Sequence, residues 1–584
     1  MNKTTLITQL FTLIGLFSYA QQNEISTSDL VPIFKERPID YENFSISDSF
    51  RIRIPLKKPS FNKTTGILLP YPIIFIHGLN SNSNDCWDVT TNWMDSQFGT
   101  NYGGRFDFCL NYDGNYNFAN TNFYPTTGAD IAIFTPTLSA GDYFYINFDV
   151  ALDGAVNTTS SYTYNFKSNQ QAVVKQGKAI KWAINRVLQI TGRDKVILMG
   201  HSMGGLAARE YLQNINNWQS DGKHHVAKLV TTGTPHGGSN ASLSILNSLV
   251  NIDNQSEAVR DLRTSYYYSG SPGVYLFGGY ETNSVMNDML AYNFRNVDVN
   301  CNGITSEYVT GLNQKNRPVD LDYSCIIGTA NILNGGDYVV DNEMADINNY
   351  YSNTTTNVFP VSVSHTSLPS QNKENMQGLD EPNEFIFSYH IGFDTTYTGF
   401  ITVQAVGGYQ FDYDDYKFSV LNNSTIHISI NSILLSNLMA RIVDNAGNTV
   451  GTVFQSNGSS NINFSQVVNS GNYYFEIYGI PTSTSYLHPY NFILTKTPII
   501  AIVEQSEKPK NISIYPNPAT STININGLSD RTKIKLYDVF GKLVLTSEIE
   551  SDTTIDISEL SQGIYTLIAE NINGRIFNKI IITK

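Results

Sequence analysis

Residues 195–205 read KVILMGHSMGG, and the fold turns on this stretch. VILM (196–199) is an unbroken apolar run of strand length, the composition of a strand buried on both faces of a parallel sheet. GLAAREYLQN (205–214) is rich in helix formers, with Leu206, Ala207, Tyr211 and Leu212 along one side. Between them Gly200-His201-Ser202-Met203-Gly204 must turn the chain from strand into helix within a few residues. Such a turn brings neighbouring backbones too close for side chains two positions before and after its tip, which accounts for Gly200 and Gly204. It also lifts the Ser202 hydroxyl to the N-terminal end of the helix, where free N–H groups can stabilise an anion. Ser202 is therefore the candidate nucleophile.

A serine nucleophile needs a base, an acid to orient that base, and N–H donors for the developing oxyanion. The first donor is expected from Met203, directly after the serine. The second is expected from the loop closing YPIIFIHGLN (71–80), with Leu79 as donor and Gly78 permitting close approach. Of nine histidines, His201 is tied to the turn itself, and His77 and His236 read as loop residues that shape the site. His224 and His225 read as surface, and His390, His427 and His488 belong to the β-rich half. His365, in VSVSHTSLPSQ (361–371), remains as the base. The acid should fall between Ser202 and His365 at a strand end. Asp337, after Gly335-Gly336, is the first choice and Asp341 the alternative. The chain order Ser…Asp…His is that of an α/β-hydrolase.

The surrounding chain reads as strands alternating with helices: DYFYINFD (142–149) as strand, a helix from 170 to 192 ended by Gly192, and AKLVTTGTPHGGS (227–239) as a strand running into a loop. That alternation implies a mostly parallel sheet with helices on both faces. Residues 86–140, rich in Asn, Tyr, Gly and Phe, read as an insertion. After about residue 395 helical periodicity gives way to short β-type runs. The expected organisation is a signal peptide (1–20), a lead-in (21–67), an α/β domain (68–395), a β-sandwich (400–498), a linker (499–510) and a second all-β domain (511–584).

The 584 residues carry a formal net charge of −14, which disfavours a nucleic-acid partner, and no segment after the signal is long and apolar enough to span a bilayer. The four cysteines of an exported chain permit two disulfides, with Cys86–Cys109 and Cys301–Cys325 as the local pairing. No cluster suggests zinc, and no cofactor is expected. Two stretches invite a structural calcium: the acidic Asp412, Asp414 and Asp415, read preferentially as a solvated strand edge, and Asp298, Asn300 and Asn302, where an EF-hand would need an acid and the chain has Val309.

PIIFIHGLN, KVILMGHSMGG, LVTTGTPHGGS, GGDYVV and VSHTSLPS together resemble secreted lipases and esterases of the α/β-hydrolase superfamily, in the group of triacylglycerol lipases and inositol-deacylase-like lipases. The resemblance covers about residues 68–375; the family has Gly after its acid where this chain has Tyr338. DYDDYKFSV, ARIVDNAGNTVG and SGNYYFEIYG resemble the prepeptidase C-terminal β-sandwich. NISIYPNPATSTININ, LYDVFGKLV, ISELSQGIYTLIAEN and KIIITK resemble the type IX secretion sorting domain of Bacteroidetes, which implies the secretion machinery as partner and a secreted or surface-attached product. The expected function is hydrolysis of carboxylic esters or lipids through an acyl-enzyme. Residues 240–292 are candidates for a lid and acyl pocket. The alternatives are amide, thioester or polyester substrates for the same three side chains, or an inactive surface adhesin.

Overall fold

The computed structural model describes residues 67–110, 138–151, 168–239, 256–262, 308–331, 335–350, 356–402, 412–431, 438–456, 461–479, 487–499, 512–528, 530–571 and 574–584, with a few short strands and single residues between them. The signal peptide, most of the lead-in, the linker beyond Ile499, residues 240–255, most of 263–299, and Asp298 and Asn302 lie outside the described residues.

Seven parallel strands form the central sheet: β1 (Ile73–Ile76), β2 (Tyr102–Cys109), β3 (Tyr143–Asn147), β4 (Val196–His201), β5 (Val226–Thr232), β6 (Asp322–Gly328) and β7 (Asn357–Val361). Their order is β2-β3-β1-β4-β5-β6-β7, and the β2 edge is extended by an antiparallel Ala132–Ile133 and by Ile33–Phe34. This is the α/β-hydrolase architecture. Successive side chains of one strand feed different cores. Ile73, Phe75, Ile197 and Met199 join one apolar cluster, while Ile74, Ile76, Val196 and Leu198 join another. A strand with a core on each side must be apolar at every position, which is why VILM and IIFI read as unbroken runs.

Helices α2 (Val173–Thr191) and α3 (Met203–Gln213) cover one face through Ala179, Ile180, Ala183, Ile184 and Val187 and through Ala207, Ala208, Tyr211 and Leu212. Helix α2 stops at Gly192, whose φ of 67° is left-handed. The other face is covered by α1 (Ser83–Phe98) and α5 (Asn372–Leu379), through Trp87, Met94, Met376 and Leu379. A further short helix, α4 (Glu257–Leu262), follows β5.

The second core is shared with a β-sandwich. Its four-stranded sheet includes Thr396–Thr402 and Leu487–Pro498, and its five-stranded sheet includes Asp412–Val420 and Gly471–Gly479. Phe400, Ile401, Tyr416 and Phe492 lie in one continuous apolar cluster with Phe75 and Trp87. Arg193 fastens the two parts, stacking 5.1 Å from the Tyr397 ring centroid and donating to the Ile67 carbonyl at 3.3 Å. Residues 500–584 form a separate compact unit of three- and four-stranded sheets around Ile523, Ile525, Ile534, Leu536, Leu567 and Ile580. No helix among the described residues is long and apolar enough to cross a membrane.

Three expectations need correction. Much of 86–140 is framework rather than insertion: α1 and β2 both belong to the sheet domain. The α1 face turned inward is built from Ser83, Cys86, Trp87, Thr90, Thr91 and Met94, so apolar periodicity is faint although burial is real. No disulfide forms. Cys86, Cys109, Cys301 and Cys325 are buried in four different apolar clusters. Finally, His224 is buried rather than on the surface, with Nε2 2.9 Å from Asp320 Oδ1 and Nδ1 accepting the Val226 N–H at 2.9 Å.

Candidate active site

Ser202 occupies the junction of β4 and α3 at φ 52° and ψ −125°, a conformation that costs an ordinary residue on the order of 1–3 kcal/mol. The glycines around it carry the crowding. A Cβ on Gly200 would lie 2.5 Å from the Gly205 nitrogen, and one on Gly204 would lie 2.5 Å from the His77 carbonyl oxygen. From the facing loop, a Cβ on Gly78 would meet the Ser202 Cβ at 2.8 Å. The strand–helix turn and the loop after β1 are thus in backbone contact.

His365 opens a 3-10 turn (His365–Ser370) that follows β7, and Asp337 lies in the loop after β6. Ser202 Oγ is 2.8 Å from His365 Nε2, and His365 Nδ1 is 2.7 Å from Asp337 Oδ2. A carboxylate only accepts, so Nδ1 carries the hydrogen toward Asp337 and Nε2 is free to accept from the serine. Asp337 Oδ1 in turn accepts the N–H groups of Val339 (3.0 Å) and Val340 (2.8 Å). All three side chains are buried, Asp337 most completely. Asp341 does not share this arrangement: it is exposed, and its backbone carbonyl accepts from Met344 and Ala345 at the start of a short helix. Tyr338 adopts φ 77°, in the left-handed region that favours glycine. It remains exposed, so its bulk meets no obstacle.

Met203 holds the first position of α3, where a backbone N–H has no intrahelical acceptor. Leu79 and Ser202 line the same cavity, of about 300 Å³. Val259, Leu262, Pro235 and Val340 form its apolar side; Asn80, Ser81 and Asp85 bring polar groups to it. A pocket that is mostly apolar with a few convergent polar groups has the usual character of a small-molecule site.

Supporting contacts were invisible in the linear sequence. His201 Nε2 lies 3.0 Å from the His365 carbonyl oxygen, bracing the loop that carries the base. Burial pushes the His201 ring well below the ordinary histidine range, and His365 adds to the effect, so His201 donates there as a neutral group. His77 accepts the Phe148 N–H at Nε2 (2.8 Å), and burial lowers its pKa to about 4. His236 lies buried between Arg209 and Thr231. Gly233, quoted above only as part of a strand end, has φ 57°, and a Cβ there would lie 3.2 Å from His365 Nδ1 and 3.3 Å from Asp337 Oδ2.

The acidic stretch of the sandwich is not a solvated edge. Asp412, Asp414 and Asp415 are all buried. Asp380, Glu381 and Asp414 bring carboxylate oxygens within 4.8 Å of one another, and Asp414 Oδ1 has no hydrogen-bond partner among the described residues. Two oxygens on opposite sides of a calcium ion at about 2.4 Å would be separated by about that span, so the donor set suits a hard cation. Without one, burial and mutual repulsion keep the protons on: Asp380 and Asp414 are raised well above the carboxylate range and Glu381 to about 8. A carboxyl with a raised folded pKa stabilises the fold below its unfolded value, about 4.3 for Glu, and that contribution is lost as pH rises through the folded value. Chelator-treated protein is therefore expected to melt at a lower temperature at pH 8.5 than at pH 5.5. Calcium at a hundredfold its Kd should restore about 2.7 kcal/mol at the higher pH. Asp414→Asn should remove that increment; a melting temperature indifferent to calcium would rule the ion out.

Residues 68–266 match the family described as PGAP1-like alpha/beta domain, and residues 513–583 match the secretion system C-terminal sorting domain. Among solved structures, a lipase-esterase related protein from Clostridium acetobutylicum shares 12% identity over 55% of this chain and 96% of its own (TM-score 0.26). An extracellular alpha/beta-hydrolase from a Paenibacillus species shares 12% over 53% of this chain and 99% of its own (TM-score 0.25). The pre-peptidase C-terminal domain of collagenase from Bacillus anthracis shares 21% over 20% of this chain and 99% of its own (TM-score 0.16). No curated protein matches the chain.

Proposed function

We propose that this PGAP1-like α/β hydrolase, exported by the type IX route its sorting domain serves, is a serine hydrolase of carboxylic esters. The observation that carries the reading is the unbroken sequence of contacts from Ser202 Oγ through His365 to Asp337, ending at a cavity with an apolar side.

In this reading Ser202 Oγ attacks the ester carbonyl as His365 Nε2 takes its proton. The carbonyl oxygen becomes an oxyanion that accepts from the backbone N–H groups of Met203 and Leu79. Asp337 holds the imidazole and stabilises its protonated form. Collapse of the tetrahedral species expels the alcohol, protonated by His365. Water, deprotonated by the same ring, then attacks the acyl-enzyme, releases the acid and returns the proton to Ser202.

The test is a p-nitrophenyl ester series from acetate to palmitate, run beside labelling with a fluorophosphonate probe and mapping of the modified peptide. Ester turnover with the label on Ser202 is the expected result. Labelling without turnover of any ester would redirect the same chemistry to amides, thioesters or polyesters. Absence of both would leave a binding protein.

A further inference from the structure

Helix α4 is six residues long, EAVRDL, and it carries three charged side chains that are at most 1% exposed. Two of them converge on one target. Glu257 Oε2 accepts the Ala172 N–H at 2.7 Å, and Asp261 Oδ2 accepts the Val173 N–H at 2.8 Å, from positions 85 and 88 residues away. These donors open α2, a 19-residue helix whose N-cap, Ala172, supplies no side-chain acceptor. Carboxylates from α4 therefore provide the cap that α2 lacks, at the end where the helix dipole favours negative charge. Lys175 Nζ lies 3.7 Å from Glu257 Oε2, and Arg260 Nε donates to Asp261 Oδ1 at 2.8 Å, so both acids keep a cation nearby.

Two apolar residues of α4 face the site. Val259 and Leu262 line the cavity over Ser202. Ala258 and Leu262 share an apolar cluster with Ala172, Val173, Val174, Met203 and Leu206. The first turns of α2 also support Met203 directly, through Gln176 Nε2 at 3.4 Å from its sulfur. One joint thus fixes the apolar wall and the residue whose N–H would face the oxyanion.

We propose that Glu257 and Asp261 are positioning residues that seat α4 by capping α2, and that Val259 and Leu262 form the wall against which the acyl chain lies. The proposal rests on the serine-hydrolase reading and assigns the acyl side of that site.

The experiment uses the full chain and two alkyl fluorophosphonates, one short and one long, whose rates of reaction with Ser202 report the wall without any need for an ester. Val259→Trp and Leu262→Trp should lower the long-chain rate at least tenfold more than the short-chain rate, the discrimination expected when a few methylenes lose their pocket. With esters, Glu257→Ala and Asp261→Ala should raise KM for octanoate about tenfold while kcat falls by less. Glu257→Gln keeps an acceptor for the Ala172 N–H and should recover most of that loss. Equal effects on both probes, or a fall confined to kcat with no recovery by Gln, would overturn the proposal. A wild-type chain that neither probe labels would instead remove the hydrolase reading, and this assignment with it.

Discussion

Ser202→Ala is expected to lower kcat for ester hydrolysis about a million-fold, the scale on which removing a serine nucleophile stops acyl transfer. The substitution deletes only Oγ. Among the described residues its one hydrogen bond runs to His365 Nε2, while His365 stays anchored by Asp337 and by the backbone bond from its N–H to the Asp337 carbonyl. Alanine keeps the Cβ already accommodated beside Gly78, so the turn at φ 52° is not asked to change. Stability should therefore move by no more than about 1 kcal/mol. Steady-state assays on p-nitrophenyl butyrate, with thermal melts of both proteins, check the two halves. A variant within a hundredfold of wild type would remove Ser202 from the chemistry.

Asp337→Asn should cost about ten-thousand-fold in kcat, with Asp341→Asn within about twofold of wild type. The surrounding hydrogen bonds give the reason. Oδ1 accepts from both Val339 and Val340, so an asparagine must set its carbonyl oxygen there and turn its NH2 toward His365. An NH2 donates, so Nδ1 would have to accept and the ring hydrogen would move to Nε2, facing Ser202. The ring would stay in position in the wrong tautomer, unable to take the serine proton. Loss of activity in the Asp341 variant with a working Asp337 variant would reverse the assignment.

The candidate site was legible to the extent that its determinants are local. A strand with a core on each side is apolar throughout, and a turn with backbones in contact must have glycine on both sides of its tip. Both conditions are met by residues adjacent in sequence, at 196–204. The same logic failed at α1, where Thr90 and Thr91 turn inward to meet the Pro369 carbonyl and the Tyr145 hydroxyl, partners that no window around residue 90 contains. The cysteines failed similarly. Short separations along the chain suggested two bridges, but each cysteine is buried in a different apolar cluster.

From sequence alone, then, came the alternation of strand and helix, the β-rich C-terminal half, the sorting segment, and the candidates Ser202, His365 and either Asp337 or Asp341, because each is written in composition, spacing or motif. The choice of Asp337 over Asp341 for the contact with His365 depended on which carboxylate meets the ring and the N–H groups of Val339 and Val340. The burial of Asp412 and Asp414 against Asp380 and Glu381, and the capping of α2 by Glu257 and Asp261, likewise needed the tertiary structure. Those partners lie tens of residues apart, and a carboxylate's protonation and role are set by the groups that surround it in space, which folding alone brings together.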